Sequence, residues 1–220
     1  MKVNNCELIE KWGFWLALYT FVSIIFTFEE SAILSNETMA TIFIPCFLGG
    51  ILFLYFGAKF RSAILLGVGV STLLPGAILL RSTLPSVSFI LTYFSIPKIY
   101  AAVVFPSFIL LIARRSEMTF GKDSATEKWG IWLTSFAISV SFFACCLYLL
   151  VRILHGNLAK LFTLGFVILI PCLIGGISYL FLGAKQRSFQ YASAGLATLL
   201  LGCINFFCLV VISLPFDSMD

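Results

Sequence analysis

Seven long apolar stretches separated by short polar segments dominate the pattern along the chain. They lie at about 12–28, 39–58, 62–80, 87–113, 129–151, 161–182 and 189–214. Each has close to the roughly 20 residues that an α-helix needs to cross a bilayer. The stretches lack the alternation of apolar and polar residues that is typical of barrel strands, and a backbone in lipid must satisfy its own hydrogen bonds. The pattern therefore predicts an all-α integral membrane protein with seven transmembrane helices.

Composition agrees with a membrane protein. Of the 220 residues 60% are hydrophobic and 11% are charged, whereas charged residues make up about a quarter of a soluble domain. The N-terminal segment MKVNNCELIEK is polar and of mixed charge, so we expect the first span to act as a signal anchor rather than as a cleaved signal peptide. We expect a multi-pass protein located in the cell membrane.

The positive charges predict the orientation of the spans. An N-terminus in the cytoplasm places ten of the 14 Lys and Arg residues on the cytoplasmic side and four on the other side. Loops rich in Lys and Arg stay in the cytoplasm, so this bias predicts an N-in/C-out arrangement. It also accounts for the net charge of +4, and no nucleic-acid partner is expected.

Two sequence blocks occur twice. EKWGFWL at residues 10–16 recurs as EKWGIWL at 127–133, and IPCFLGGILFLYFGAKFRS at 44–62 recurs as IPCLIGGISYLFLGAKQRS at 170–188. The order of these blocks predicts a tandem duplication of three spans. An odd number of spans would invert the second copy, and one additional span between the copies restores its orientation. The expected architecture is therefore a 3+1+3 arrangement of parallel repeats.

The duplication divides the chain into three parts. The first unit is residues 1–81, the connector with the fourth helix and a cytoplasmic loop is 82–122, and the second unit is 123–220. The expected 3+1+3 arrangement resembles that of seven-helix sugar transporters of the PQ-loop type, a likeness of helix count alone. The chain has no Pro-Gln motif, and its expected orientation is opposite, so no family is assigned.

The repeated EKWG block contains the four tryptophans of the chain, Trp12, Trp15, Trp129 and Trp132. Indole rings prefer the level of the lipid headgroups, and residues three apart share one side of a helix. We expect these side chains to anchor the helices at the membrane interface. A cytoplasmic gate or a contact with lipid headgroups is the alternative.

The repeated GAK-x-RS block places Lys59 and Arg61 in one short loop and Lys185 and Arg187 in another. Orientation by positive charge explains all four residues. The alternative is that they bind the headgroup of an anionic lipid or an anionic substrate.

Small residues recur at intervals of seven, which is nearly two helical turns, and so form a stripe on one helix face. Such stripes allow helices to approach closely in lipid. We expect spans 2 and 3, and spans 6 and 7, to pack as tight antiparallel hairpins. The glycines in the stripes are Gly50, Gly57, Gly69, Gly76, Gly176, Gly183, Gly195 and Gly202.

Prolines stand at matching places in the two blocks, at Pro45 and Pro171. Proline kinks a helix and frees carbonyl groups, which suits a hinge or a binding cavity between repeats. In span 4, Pro97 and Lys98 are further candidates for a path, because a cation within a membrane either faces a polar cavity or extends to the surface. Local helix geometry is the alternative for the prolines.

The chemistry of common membrane enzymes is missing from the sequence. No Asp or Glu falls clearly inside a predicted span, His155 is the single histidine, and the seven cysteines form no C-x-x-C motif. We therefore expect no catalytic residues, no cofactor and no metal.

Two functions remain. The first is a facilitative, uncoupled transporter or lipid-handling permease with a path between the two repeats, suggested by the pseudo-symmetry and the paired prolines. The second is a non-catalytic structural or assembly subunit of a larger membrane complex. Membrane lipids are expected partners of either, together with a homo-oligomer or a membrane protein complex.

Overall fold

The computed structural model describes residues 2–30, 35–83, 96–113, 131–143, 146 and 159–213. These residues form seven helices and no strand. The helices are α1 (Lys2–Glu30), α2 (Asn36–Phe60), α3 (Ala63–Thr83), α4 (Ile96–Ala113), α5 (described over Ile131–Phe143), α6 (Ala159–Gln186) and α7 (Phe189–Ser213).

Five of these helices are long and apolar enough to cross a membrane: α1, α2, α3, α6 and α7. Two shorter apolar helices, Lys98–Ile112 and Ile131–Phe143, lie within α4 and α5. The chain is therefore a multi-pass membrane protein, as the sequence predicted. The predicted loop around His155 lies outside the described residues, as do residues 114–130 between α4 and α5.

Two tight loops join α2 to α3 and α6 to α7. Each loop contains an arginine in the left-handed conformation, Arg61 with φ 56° and Arg187 with φ 53°. The next backbone amide returns to the helix, from Ser62 to Gly57 O at 3.1 Å and from Ser188 to Gly183 O at 3.0 Å. The left-handed residue at a helix end is usually glycine, because a Cβ atom is strained in that conformation. Here the arginine of the GAK-x-RS block adopts it in both loops.

The tight loops produce two antiparallel helix pairs, α2 with α3 and α6 with α7, which make the most extensive contacts among the described helices. In the middle of the bundle α3 packs against α7, while α1 packs against α7, α3 and α2. Most of α3 and α7 is buried, whereas most of α2 and α6 is not. The helices α3 and α7 therefore form the centre of the bundle.

Both α3 and α7 contribute buried aliphatic side chains to one hydrophobic cluster, and we call the contact between these two helices the central seam. Its residues belong to the largest hydrophobic cluster of the described chain and are at most 3% exposed. They include Leu65, Val68, Leu74, Leu196, Leu200 and Leu201. Packing of this kind holds helices together in lipid through dispersion contacts.

The connector helix α4 is attached to α5 by aromatic side chains. Phe142 stacks on Phe108 with ring centroids 4.1 Å apart and meets Phe105 edge-on at 4.7 Å. α4 begins at Ile96, so Pro97 lies in its first turn. Proline is well tolerated in a first turn, because its missing N–H would have no partner within the helix.

Candidate functional site

The paired glycines of the GG motif allow α2 and α6 to contact two helices at once. A Cβ atom on Gly49 would lie 2.6 Å from Leu16 Cδ2 of α1, and one on Gly50 would lie 2.7 Å from the backbone nitrogen of Leu73 of α3. Such distances are shorter than real Cβ contacts, so only glycine fits without a shift. One glycine thus faces each neighbour.

The same contacts recur at the corresponding positions of the second unit. A Cβ atom on Gly175 would lie 2.6 Å from Leu133 Cδ1 of α5, and one on Gly176 would meet the side chain of Leu199 of α7. In the sequence, Leu133 corresponds to Leu16 of the repeated EKWG block.

The other predicted glycines lie where helix backbones meet. Added Cβ atoms would fall 2.5–2.7 Å from atoms of the opposite helix. The nearest atoms are Leu66 N for Gly57, Leu54 N for Gly69, Phe47 N for Gly76, Ala192 N for Gly183, Gly176 O and Leu180 N for Gly195, and Cys172 Cβ for Gly202.

A buried polar cluster joins three helices, α4, α5 and α7. Tyr100 of α4 donates a hydrogen bond from its hydroxyl to Asn205 Oδ1 of α7. Asn205 Nδ2 donates to Ser141 Oγ of α5 at 2.8 Å, and Ser141 Oγ donates to Ala137 O at 2.7 Å. Asn205 and Ser141 are at most 1% exposed. We call these residues the Tyr–Asn–Ser cluster.

The corresponding positions of the first unit are apolar. Leu79 stands where Asn205 stands, and Ile24 stands where Ser141 stands. The cluster therefore distinguishes the two units, and it was not found in the sequence analysis. The sequence feature that could have revealed the cluster is a lone asparagine in an otherwise apolar stretch. A buried amide in lipid needs a hydrogen-bond partner, so such a residue indicates a polar contact.

Most other buried hydroxyl groups are satisfied within their own helix. Thr72 donates to Val68 O at 2.8 Å, Ser107 to Val103 O at 2.7 Å and Thr198 to Ala194 O at 2.7 Å. Among the described residues, no buried side-chain nitrogen or oxygen lacks a hydrogen-bond partner. These hydroxyls need no solute or water to complete their hydrogen bonding.

The predicted path residues lie on the outside of the bundle. Pro45 of α2 and Pro171 of α6 are exposed, as is Lys98 in the first turn of α4. The side chain of Pro97 lies outside the described residues. The central seam is built from other residues.

All four predicted cations of the tight loops are exposed: Lys59, Arg61, Lys185 and Arg187. Lys59 Nζ lies 5.7 Å from the ring centroid of Tyr55 and 5.9 Å from that of Phe60. Both loops lie on the side of the bundle that holds the N-terminal half of α1, because Gly13 faces Phe53 of α2 and Lys11 faces Phe189 of α7.

The three described tryptophans of the EKWG blocks point away from the core. Trp12, Trp15 and Trp132 are more than half exposed, and Trp129 lies outside the described residues. The glycine of the first block has a packing role, since a Cβ atom on Gly13 would lie 2.9 Å from Phe53 Cε1. The block therefore combines an exposed aromatic face with a close helix contact.

No protein-family model, curated protein or solved structure matches this chain. Among the described residues, no group of three or more His, Cys, Asp or Glu side chains could hold a metal ion. The class of the protein, a multi-pass helical membrane protein, follows from its five long apolar helices.

Proposed function

We propose that the protein is a non-catalytic subunit that stabilises or assembles a larger membrane complex. The observation that carries this proposal is the central seam, where α3 and α7 meet through tightly packed aliphatic side chains. A path between two repeats needs polar groups or a water-filled cavity at that place. The burial of Leu65, Leu74 and Leu200 favours a rigid support over a path along this contact.

The outer faces of α2 and α6 support the same proposal. They expose large apolar side chains along their length, including Leu48 and Leu52 of α2 and Ile174, Ile177 and Phe181 of α6. Faces of this kind contact lipid or the helices of a partner. A subunit of this type would act through these faces.

We further propose the complete arrangement of the chain as seven spans in a 3+1+3 order, N-in/C-out. The repeated sequence blocks and the bias of Lys and Arg support it. Further support comes from contacts that recur at corresponding residues, such as Leu16 with Gly49 and Leu133 with Gly175.

A facilitative transporter is the second candidate, and the Tyr–Asn–Ser cluster favours it. Polar side chains within a membrane protein often mark the route of a solute. A route beside this cluster would run between α4, α5 and α7, away from the central seam.

The first experiment is extraction in a mild detergent, followed by native-gel sizing and mass spectrometry of the proteins that remain bound. A defined complex with unrelated membrane proteins, lost when Leu48 and Leu52 are both changed to Ala, supports the assembly function. A matched double change on α6, at Ile174 and Ile177, tests the second face.

If the protein migrates alone or as a small homo-oligomer, the assembly function fails. Flux of small solutes into liposomes then tests the transporter. Lys98→Ala and Asn205→Leu would distinguish a path at the exposed start of α4 from one beside the Tyr–Asn–Ser cluster.

A further inference from the structure

The N-terminal half of α1 and the α6–α7 loop together present a cluster of positive charge. This cluster supports a binding role that goes beyond the assembly function. We propose that Lys11, Lys185 and Arg187 together bind the phosphate of an anionic phospholipid. We call these three residues the lipid-phosphate cluster. Its distinctive feature is that the first unit contributes one cation and the second unit contributes two.

Several contacts fix the start of α1 against the start of α7. Lys11 Nζ lies 5.5 Å from the ring centroid of Phe189, and the rings of Phe14 and Phe189 meet edge-on at 5.7 Å. Ser193 Oγ donates to Glu10 O at 3.4 Å. Phe189 follows Arg187 by two residues, so these contacts hold Lys11 beside the loop.

The shape of the loop projects its cations outward. Arg187 adopts the left-handed conformation, and the Ser188 amide closes onto Gly183 O at 3.0 Å. Lys185 and Arg187 are both exposed, and Lys11 is half-buried. Glu10 is the acid next to Lys11 in the sequence, and the three cations outweigh its single charge. The cluster is therefore complementary to an anion.

The level of the cluster in the membrane suits a lipid headgroup. Lys11 lies near the start of the apolar segment Leu8–Thr27, and Arg187 lies between the segments Phe166–Gln186 and Phe189–Phe207. Long basic side chains at the ends of spans extend to the interface, where they attract anionic headgroups. A lipid, whose acyl chains can lie against the apolar helices, is therefore the occupant.

The α2–α3 loop provides a natural comparison. There the ammonium of Lys59 lies over the rings of Tyr55 and Phe60. In the second unit Gln186 occupies the position of Phe60, which removes one of these rings from the neighbourhood of Lys185. We therefore expect the α6–α7 loop to bind the phosphate more tightly than the α2–α3 loop.

The test is native mass spectrometry of the delipidated full chain, titrated with phosphatidylglycerol or with phosphatidylcholine in detergent. Because each basic residue near a membrane contributes on the order of 1 kcal/mol to anionic lipid binding, Lys11→Gln with Arg187→Gln should weaken phosphatidylglycerol binding about tenfold or more. The matched control, Lys59→Gln with Arg61→Gln, removes the same charge and should weaken it less than about threefold. Lys11→Arg with Arg187→Lys should retain binding.

Equal losses in the two neutralised variants would overturn the proposal, since they would show a general effect of charge. Equal affinity for the two lipids would also overturn it. Displacement of the lipid by millimolar inorganic phosphate would assign the cluster to a free anion instead. Far-UV circular dichroism of each variant establishes that the helices are intact.

Discussion

Asn205 donates a hydrogen bond to Ser141 Oγ at 2.8 Å in a part of the bundle that is otherwise apolar. In a second hydrogen bond, the amide oxygen of Asn205 accepts from the hydroxyl of Tyr100. An unpaired amide in such a place costs several times more than its hydrogen bond contributes. The three side chains therefore fix α4, α5 and α7 in one relative position.

Replacing Asn205 with leucine, the residue at the corresponding position 79, tests this role. The substitution removes two interhelical hydrogen bonds and leaves the Tyr100 hydroxyl without its acceptor on α7. Interhelical hydrogen bonds in membrane proteins contribute about 0.6 kcal/mol each and rarely more than about 1.7 kcal/mol. We expect the free energy of unfolding to fall by about 1–2 kcal/mol, measured by titration with a denaturing detergent.

A double-mutant cycle with Tyr100→Phe isolates the bond between the two side chains. Tyr100→Phe removes the donor and keeps the ring, so its effect and that of Asn205→Leu should be less than additive. Additive effects would contradict the cluster.

Gly69 of the α2–α3 pair and Gly13 of α1 differ in what they face, and this predicts different costs for alanine. A Cβ atom on Gly69 would lie 2.6 Å from the backbone nitrogen of Leu54, whereas one on Gly13 would lie 2.9 Å from the ring edge of Phe53. A backbone cannot move without shifting its helix, but a ring can rotate. Gly69→Ala should lower the free energy of unfolding by about 2 kcal/mol.

Gly13→Ala is the matched control, because alanine favours a helix by up to about 1 kcal/mol over glycine and can offset a small shift of the ring. Its stability should stay within about 1 kcal/mol of the native protein. Leucine at Gly57 or Gly69 should prevent folding. Normal yield and stability of both leucine variants would show that the helix pairs are not packed this closely.

Sequence reasoning could identify the glycines but not the Tyr–Asn–Ser cluster, for a physical reason. The spacing of Gly57 and Gly50 is local, since residues on one face of one helix recur every few positions. Tyr100 and Asn205 are 105 residues apart, and nothing in the period of either helix specifies that they meet. Long-range side-chain pairs depend on the packing of whole helices.

The contact of α1 with α7 was beyond the sequence for the same reason. A duplication indicates which helices correspond, but it does not indicate whether the first helix packs within its own unit or against the other. The aromatic pair of Phe14 and Phe189 places it beside the other unit as well. The sequence also could not predict that Pro45 and Pro171 are exposed, because a proline can face either side of a helix.

Cross-linking tests the contact between the two units. In a cysteine-free background, Phe14→Cys with Phe189→Cys should react with a short bis-maleimide, because the rings of these residues lie 5.7 Å apart at their centroids. The control is Phe14→Cys with Ala63→Cys, the corresponding start of α3. Failure of the Phe14→Cys and Phe189→Cys pair to cross-link, or weaker cross-linking than in the control, would contradict the contact of α1 with the start of α7.

Thiol labelling tests the proposed orientation of the chain. Lys59 and Lys185 are exposed at the ends of α2 and α6, and Glu37 is exposed in the first turn of α2. Because α2 crosses the membrane between Glu37 and Lys59, single cysteines at these two positions must react from opposite sides. The bias of positive charge predicts that Glu37→Cys is labelled by an impermeant maleimide in intact cells, and that Lys59→Cys requires permeabilised membranes.

Lys185→Cys should behave like Lys59→Cys if the two units are parallel. Labelling of Lys59→Cys alone in intact cells would reverse the orientation, while opposite behaviour of Lys59→Cys and Lys185→Cys would show inverted units and exclude the 3+1+3 parallel arrangement.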